Sequence, residues 1–547
     1  MAIRPSGAAQ DQQAPRHPSA FEPVTLFLTV ALSVLGAIIG LNLITTLGIS
    51  ANTSVIGALV AMLAGRVSFA GLRKMRNIQR QNLVQSAVSG ATFAAANSLI
   101  TPIAVPWAMG QPDLVWPMLI GATCGLLTDT WVLYRTYDSK LFPAQGAWPP
   151  GVAAAETIKA GDKGGKRALI LVGGAVAGFV GSLFKLPVSA GGVALIGNVW
   201  ALGMFGLGLF LAQYTPGWFG VNLNAEYIPA GVMIGAGLVA LGQAVWLLSR
   251  RHQGSAAAPG AVPEHGGPDD PALELTVNET RLRRGLLEGF VLFIGGAVLI
   301  GVLGGVIADM SPLAFAGWVL FAAFAALVHE LIVGLAAMHS GWFPAFAVTL
   351  IFLVIGLLIG IPAIPLALLV GFCSSTGPAF ADMGYDYKAG WILRREVRPW
   401  KPFEIAGRQQ QYASQLVGFA VALVAVAFTW QYFFGAGLIP PVAKVYATTI
   451  QAGLTNPDII RNLIIWAVPG ALIQFVGGPK RQMGVLLATG LLVATVNAWW
   501  LVIGALGIRL VWRQIRGTDR GDEEMALVGA GVIAGGALAD TSRVIRG

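Results

Sequence analysis

The stretch Leu368–Gln411, LLVGFCSSTGPAFADMGYDYKAGWILRREVRPWKPFEIAGRQQQ, decides how the rest of the chain is read. It begins as apolar as a membrane helix and turns polar with no linker composition in between. Asp382, Tyr385, Asp386, Tyr387 and Lys388 follow directly, then Gly390, a basic run and Gln409-Gln410-Gln411. Ionisable groups at or inside a bilayer boundary are costly, so they line a cavity, a pathway or a polar contact between helices. Taken alone, the same composition fits a solvated cytoplasmic loop equally well. The remainder of the chain decides between these.

Of 547 residues, 55% are hydrophobic and 11% charged, with a mean hydropathy of +0.70. Soluble domains carry about 25% charged residues, so the deficit is large. The 71 glycines and 16 tryptophans suit closely packed membrane helices with aromatic interfacial anchors. The fold class expected is an all-α polytopic membrane protein with the lipid bilayer as its solvent. The net charge of +9 then reflects Lys and Arg collected in cytoplasmic loops rather than a nucleic-acid partner. Cys124 and Cys373 both lie in apolar segments, which excludes a disulfide scaffold and a multi-cysteine metal site. No cofactor and no resident metal are expected. Up to Glu22 the sequence is polar and Pro/Gln-rich, without a cleavable signal pattern, so the first membrane helix is expected to direct insertion.

Apolar spans are expected at Pro23–Leu47, Ala51–Gly65, Leu83–Val105, Leu114–Leu133, Ala168–Leu186, Gly191–Leu211 and Tyr227–Leu248. A second set is Leu286–Ala308, Pro312–Val328, Leu331–Ile361 (breaking near Gly341–Pro344), Ile364–Ala381, Tyr412–Phe434, Ile459–Val476, Met483–Leu506 and Met525–Leu538. Basic loops around Arg66–Arg80 and Arg135–Arg167 become cytoplasmic if the N-terminus is inside, as the positive-inside bias requires. The organisation expected is a cytoplasmic tail (1–22), a first membrane repeat (23–249), a Ser/Ala/Pro/Gly-rich cytoplasmic linker (250–284) and a second membrane repeat (285–547). Glu226–Gly237 (EYIPAGVMIGAG) and Glu524–Gly536 (EMALVGAGVIAGG) support duplication, although small-residue helices also resemble one another by composition alone. Keeping the linker inside requires broken or re-entrant pieces, for which Pro187–Asn198, Pro216–Ala225 and Gly435–Pro457 are candidates. That gives about 7 to 8 segments per repeat, about 14 to 16 in total.

Three stretches resemble the oligopeptide transporter family, which includes the yellow-stripe-like metal-chelate transporters. Asn77–Pro106 (NIQRQNLVQSAVSGATFAAANSLITPIAVP) resembles that family's Asn/Gln-rich start of the third helix. Phe142–Ile158 (FPAQGAWPPGVAAAETI) resembles its loop motif, with Trp148-Pro149-Pro150-Gly151 where Ser-Gly is usual. Asp386-Tyr387-Lys388-Ala389-Gly390 and Arg408-Gln409-Gln410 resemble its Asp-Leu-Lys-Thr-Gly and Lys-Gln-Gln elements, with extra residues around Arg394–Ile405 between them. The resemblance implies secondary active transport, typically proton-coupled uptake of small peptides or peptide-like metal chelates, in a plasma membrane of the bacterial inner-membrane type. It is compatible with a homodimer.

Asn82, Gln85, Ser86, Ser89, Thr92 and Asn97 recur at helical spacing, laying amides and hydroxyls along one side of a helix. Amides donate and accept, which suits a peptide backbone, and interhelical polar contacts are the bland alternative. Asn97 is the strongest single choice because it sits deepest in the apolar run. Glu156 follows a Gly/Pro break of the kind found at discontinuous-helix binding sites. Asp382 and Asp386, one turn apart with Tyr385 between them and Lys388 close enough to offset one, fit an amino terminus or a cation, and equally well a structural role holding the neighbouring loop by salt bridges. Gln410 joins them as a substrate-binding candidate through the glutamine run. Arg394, Arg395, Arg398 and Lys401 read as a lipid-facing orientation signal.

A coupling proton needs a carboxylate or imidazole tuned by its surroundings. The membrane-associated acids are Asp129, Glu156, Glu226, Glu288, Asp309, Glu330, Asp382 and Asp386. Glu330, beside His329 at an expected span boundary, is the choice for proton coupling; capping of the next helix is its structural alternative. Val333 stands where a two-histidine zinc motif would need its second histidine. The leading function is a proton-driven importer of oligopeptides or peptide-like substrates, ahead of a metal-chelate or metal-siderophore importer. A membrane enzyme is disfavoured, since no Ser/His/Asp set or phosphate-cradling loop is visible. A passive channel would need a filter sequence, and none is visible either.

Overall fold

A computed structural model describes residues 16–48, 72–161, 165–251, 274–340, 344–453, 457–493 and 497–546. Among them every extended element is helical, and the only β-pairing is an isolated bridge between Tyr137 and Phe142. The expected span Ala51–Gly65 and most of the 250–284 linker lie outside the described residues.

Helix α1 (Pro23–Leu47) keeps the bounds its apolar run set, opening on Pro23 and closing on Gly48 with φ +65°. Helix α2 (Ile78–Ala108) is nearly all buried, and Asn77 caps it by accepting the Gln79 and Arg80 amides. Pro102 and Pro106 lie in its last turns. A proline cannot donate to the preceding turn and clashes with it, and the helix adapts by widening to a π-turn over Ala94–Ile100. The Thr101 hydroxyl donates to the Ala96 carbonyl at 2.7 Å across that bulge. Next come α3 (Val115–Thr136), α4 (Pro149–Gly161) and α5 (Gly165–Leu183).

The span expected at Gly191–Leu211 is two helices, α6 (Val188–Ile196) and α7 (Val199–Phe219). Asn198 stops the first and caps the second, accepting the Trp200 and Ala201 amides. Helix α8 (Ile228–Arg251) closes the first half. The second half opens with α9 (Glu279–Leu303), then α10 (Pro312–Ser340) and α11 (Ala345–Leu358). Here the sequence reading needs correcting: α10 runs straight through His329 and Glu330. Nothing between Ala326 and Val333 breaks a helix, so the boundary expected there is absent and Glu330 cannot be a helix-terminal cap.

A sharper break comes next. Helix α12 (Ala363–Ser374) ends, Gly377 takes φ +86°, and α13 (Pro378–Arg394) begins. The polar stretch is therefore not a loop. It is a helix in which every residue from Pro378 to Arg394 is buried. Completing the chain are α14 (Trp400–Gly435), α15 (Pro441–Ala452), α16 (Pro457–Arg481), α17 (Met483–Leu492), α18 (Ala498–Arg516) and α19 (Thr518–Arg546). The span expected at Met483–Leu506 is thus divided, as its counterpart in the first half is. Among the described residues, seven helices are long and apolar enough to cross a membrane: Pro23–Leu47, Ile78–Ala108, Glu279–Leu303, Pro312–His339, Ala363–Arg394, Trp400–Gly435 and Pro457–Gly478. The chain is an all-α polytopic membrane protein.

The order long, short, long, long recurs in α5–α8 and α16–α19, and the two sets exchange partners. Helix α5 packs along α19, α8 along α16, and α7 along α17. Glycines make the first two contacts close. A Cβ on Gly235 would stand 1.8 Å from the Ala467 carbonyl oxygen, and one on Gly535 would stand 1.9 Å from that of Ala175. These are the glycines of the two similar segments, so their likeness corresponds to a like packing role. In lipid, where apolar burial does not drive helices together, close backbone approach supplies much of the association. Gly235→Ala and Gly535→Ala should each cost about 1–3 kcal/mol by overpacking. Gly504→Ala, with nothing within 4 Å, should be neutral. Thermal unfolding in detergent measures all three, and equal melting of the set would contradict this packing.

Candidate functional site

Helix α13 carries most of the polar groups, and two neighbours, α2 and α14, bond to its aspartates. From α2, the Gln85 amide donates to Asp386 Oδ1, while Asn82 donates to Gln85 Oε1 at 3.0 Å. From α14, Gln415 donates to Asp386 Oδ2 and Gln411 to the Asp386 carbonyl, both at 2.8 Å. Gln411 also reaches Ser86 Oγ at 3.0 Å. One turn earlier, Ser89 donates to Asp382 Oδ1 at 2.5 Å. Of the side that the polar spacing in α2 marked out, Gln85, Ser86 and Ser89 meet α13 and α14, while Thr92 meets α1. These bonds are the structural role weighed against ligand binding, and they hold Asn82, Gln85 and Asp386.

Among the described residues four buried side-chain atoms on the same helix are left over without a hydrogen-bond partner: Asp382 Oδ2, the Tyr385 and Tyr387 hydroxyls and Trp391 Nε1. Tyr385 forms part of the wall of a cavity of about 340 Å³, within the ~300–1,000 Å³ range typical of ligand pockets. Asn97, placed by the π-turn of α2, lines it too, as do Thr101, Ser374, Tyr446 and Thr489. Aromatic and aliphatic side chains, Phe93, Phe346 and Met233 among them, complete the wall. Helices from both halves enclose the space: α1, α2 and α8 from the first, and α11, α12, α13, α15 and α17 from the second.

The break before α13 is built as carefully as the seam. Asp129 on α3 accepts the Gly377 and Phe380 amides, each at 2.9 Å, and so caps the helix with a carboxylate. His329 bridges the break to the start of α11. Its Nε2 donates to the Ala345 carbonyl at 2.9 Å, because a carbonyl can only accept, and its Nδ1 meets Thr376 Oγ1 at 3.1 Å. Gly377 is needed twice over: its φ is positive, and a Cβ would lie 2.8 Å from the His329 ring. Glu330 points elsewhere, fully buried, with its carboxyl against that of Asp129.

The remaining candidates are placed apart from the cavity. Glu156 is exposed on α4 and pairs with Lys159 at 3.4 Å, because its helix buries the opposite face. The useful part of that loop is Trp148 and Gly151. Trp148 packs on Gly384, and a Cβ on Gly151 would stand 2.3 Å from the Tyr385 carbonyl. The loop is thus a platform for α13. Lys388 does not offset the aspartates; its Nζ donates to the Ala144 carbonyl at 2.8 Å and lies 4.5 Å from the Trp391 ring centroid. Gln410 accepts the Ala20 amide at 2.8 Å, tying the N-terminal segment to α14. Beside it, the Arg80 guanidinium bonded to Glu22 holds that carboxyl below its usual range.

Arg394 corrects the expectation of a lipid-facing basic run. It is completely buried, bonded to Glu404 at 2.7 Å and to Gln411 at 2.8 Å. The insertion before the glutamine run supplies that glutamate. Arg408 continues the network to the Tyr137 carbonyl and Thr276 Oγ1, both at 3.0 Å, and Asp138 accepts from Thr276 at 2.7 Å. Sequence reasoning missed this network, Asp129 as a cap, and the π-turn. The signals for the last two were an acid in mid-span and Pro102.

The model of the family described as OPT oligopeptide transporter protein matches residues 23–240 and 186–541. It covers the repeat-like helices and the polar seam together, and it does not single out the yellow-stripe-like branch. No curated protein matches the chain.

Removing one partner of a buried ion pair leaves the other uncompensated, at a cost of about 3–5 kcal/mol. Glu404→Gln should therefore lower the melting temperature sharply. Glu156→Ala, at an exposed pair, should change stability by no more than about 1 kcal/mol. Comparable melting of the two variants would contradict the network.

Proposed function

The chain belongs to the oligopeptide transporter family, and from that premise we propose that it is a proton-coupled importer of small oligopeptides or peptide-like substrates. The observation that carries this reading is the cavity, enclosed by helices of both halves and lined by the Asn97 amide and several hydroxyls within an apolar wall. Asn97 and Tyr385 offer hydrogen bonds to a peptide backbone, which both donates and accepts. Asp382, with one oxygen unpartnered, receives a cationic amino terminus as α13 moves. Asn82, Gln85 and Asp386 belong to the substrate path as the seam that such movement exposes. Lys388, Gln410 and Glu156, which lie apart from the cavity, serve the substrate only outside it. Glu330 carries the coupling proton, and His329 keeps the two helix breaks in register beside it. The domain reading retained is a cytoplasmic tail (1–22), membrane repeats at 23–249 and 285–547, and a cytoplasmic linker (250–284) in the plasma membrane.

The test is uptake into proteoliposomes under an imposed inward proton gradient, comparing labelled short peptides with iron and nickel chelates. Peptides should accumulate and lose accumulation when the gradient is collapsed; flux that persists without it would indicate a channel. Glu330→Gln should abolish gradient-driven accumulation and spare exchange. Accumulation equal to wild type in that variant would remove Glu330 from the role.

A further inference from the structure

Four elements converge where α12 gives way to α13. Helix α3 passes so close that a Cβ on its Gly125 would stand 2.0 Å from Ser375 Oγ. One turn on, Asp129 spends both carboxylate oxygens on α13, taking the Gly377 and Phe380 amides. Glu330 arrives from α10 with its carboxyl against that of Asp129, and both residues are fully buried. No N–H or hydroxyl among the described residues reaches either oxygen of Glu330. The neighbouring imidazole does not serve it, since His329 is committed to Ala345 and Thr376. Of the other titratable groups near the break, Asp382 is bonded to Ser89 and Tyr385 faces the cavity. Cys373 lies against the Ala325 carbonyl at 3.7 Å.

Two carboxyl groups in contact cannot both be charged without a compensating cation. A hydrogen bond between them needs a proton, and Asp129 already accepts two backbone donors, so the donor is Glu330. We infer that Asp129 and Glu330 form one proton-holding pair in which Asp129 positions Glu330 and latches the N-terminus of α13. With the proton present, the Glu330 hydroxyl donates to Asp129 and the cap stays in place. When the proton leaves, two carboxylates face each other and the cap on α13 is what can yield. That helix carries Tyr385 in the cavity wall and Asp382 and Asp386 in the seam. Proton occupancy is thereby tied to the position of the substrate-facing half-helix. The inference rests on the proton-coupled reading for its use, but the pair itself can be tested without transport.

The test is infrared difference spectroscopy of the full-length protein in lipid, stepped in pH without ligand. Wild type should show the C=O band of a buried protonated carboxyl. Glu330→Gln should lose that band. Asp129→Asn, which keeps an acceptor for the cap, should shift it by changing the partner of the Glu330 hydroxyl. A control variant at the exposed acid Glu156, Glu156→Gln, should leave it alone. A band unchanged in both Glu330→Gln and Asp129→Asn would overturn the pair, whatever the uptake results. If trialanine, used as the uptake probe, fails to accumulate in wild type while the band behaves as stated, the pair stands and the substrate reading fails. Should Asp129→Asn prove too unstable to purify, the Glu330→Gln spectrum decides alone.

Discussion

Lipid offers no hydrogen bonds, so a helix broken at membrane depth survives only if protein satisfies the amides and carbonyls it frees. The break at Ser375–Gly377 is where this constraint acts most strongly here. Asp129 meets the freed amides of α13, His329 ties the neighbouring Thr376 to the start of α11, and only glycine fits at 377. Once the break is held, α13 runs buried to Arg394, and its acids must find partners in α2 and α14. Both sets of partners are amide and hydroxyl side chains, which satisfy a carboxylate without neutralising it. That leaves the region polar and deeply buried.

The outer scaffold works by a different principle. Helices α5 and α19, and likewise α8 and α16, approach so closely that single glycines meet opposing carbonyls. Such contacts tolerate little increase in side-chain size. The cavity lies where this scaffold meets the seam. Its wall takes Met233 from α8 and Leu486 from α17 on one side, and Asn97 and Tyr385 from α2 and α13 on the other.

Much of the fold could be read from residue order because apolar runs in lipid are long and unambiguous; α1 is the clearest case. What could not be read depended on partners distant in sequence. The stretch after Phe380 has loop-like composition, yet it is helical because Gln85, Gln411 and Gln415 pay for its burial. Glu330 sat beside an apparent span boundary, but the residues around it propagate a helix, so only the fold reveals that it faces Asp129. Glu156 had a suggestive Gly/Pro context, and its helix simply turns it outward. Arg394 looked like an orientation signal because Glu404 lies ten residues away. In each case the local pattern was correct about polarity and silent about direction.

The proposed import requires the cavity between the two halves to open to one side of the membrane at a time. Asn97→Cys in a protein without its two native cysteines, probed with membrane-impermeant thiol reagents from either face, tests it most directly. The account predicts labelling from one face only, a change of face when the proton gradient is reversed, and protection by a transported peptide. Labelling from neither face, or from both at once, would contradict it.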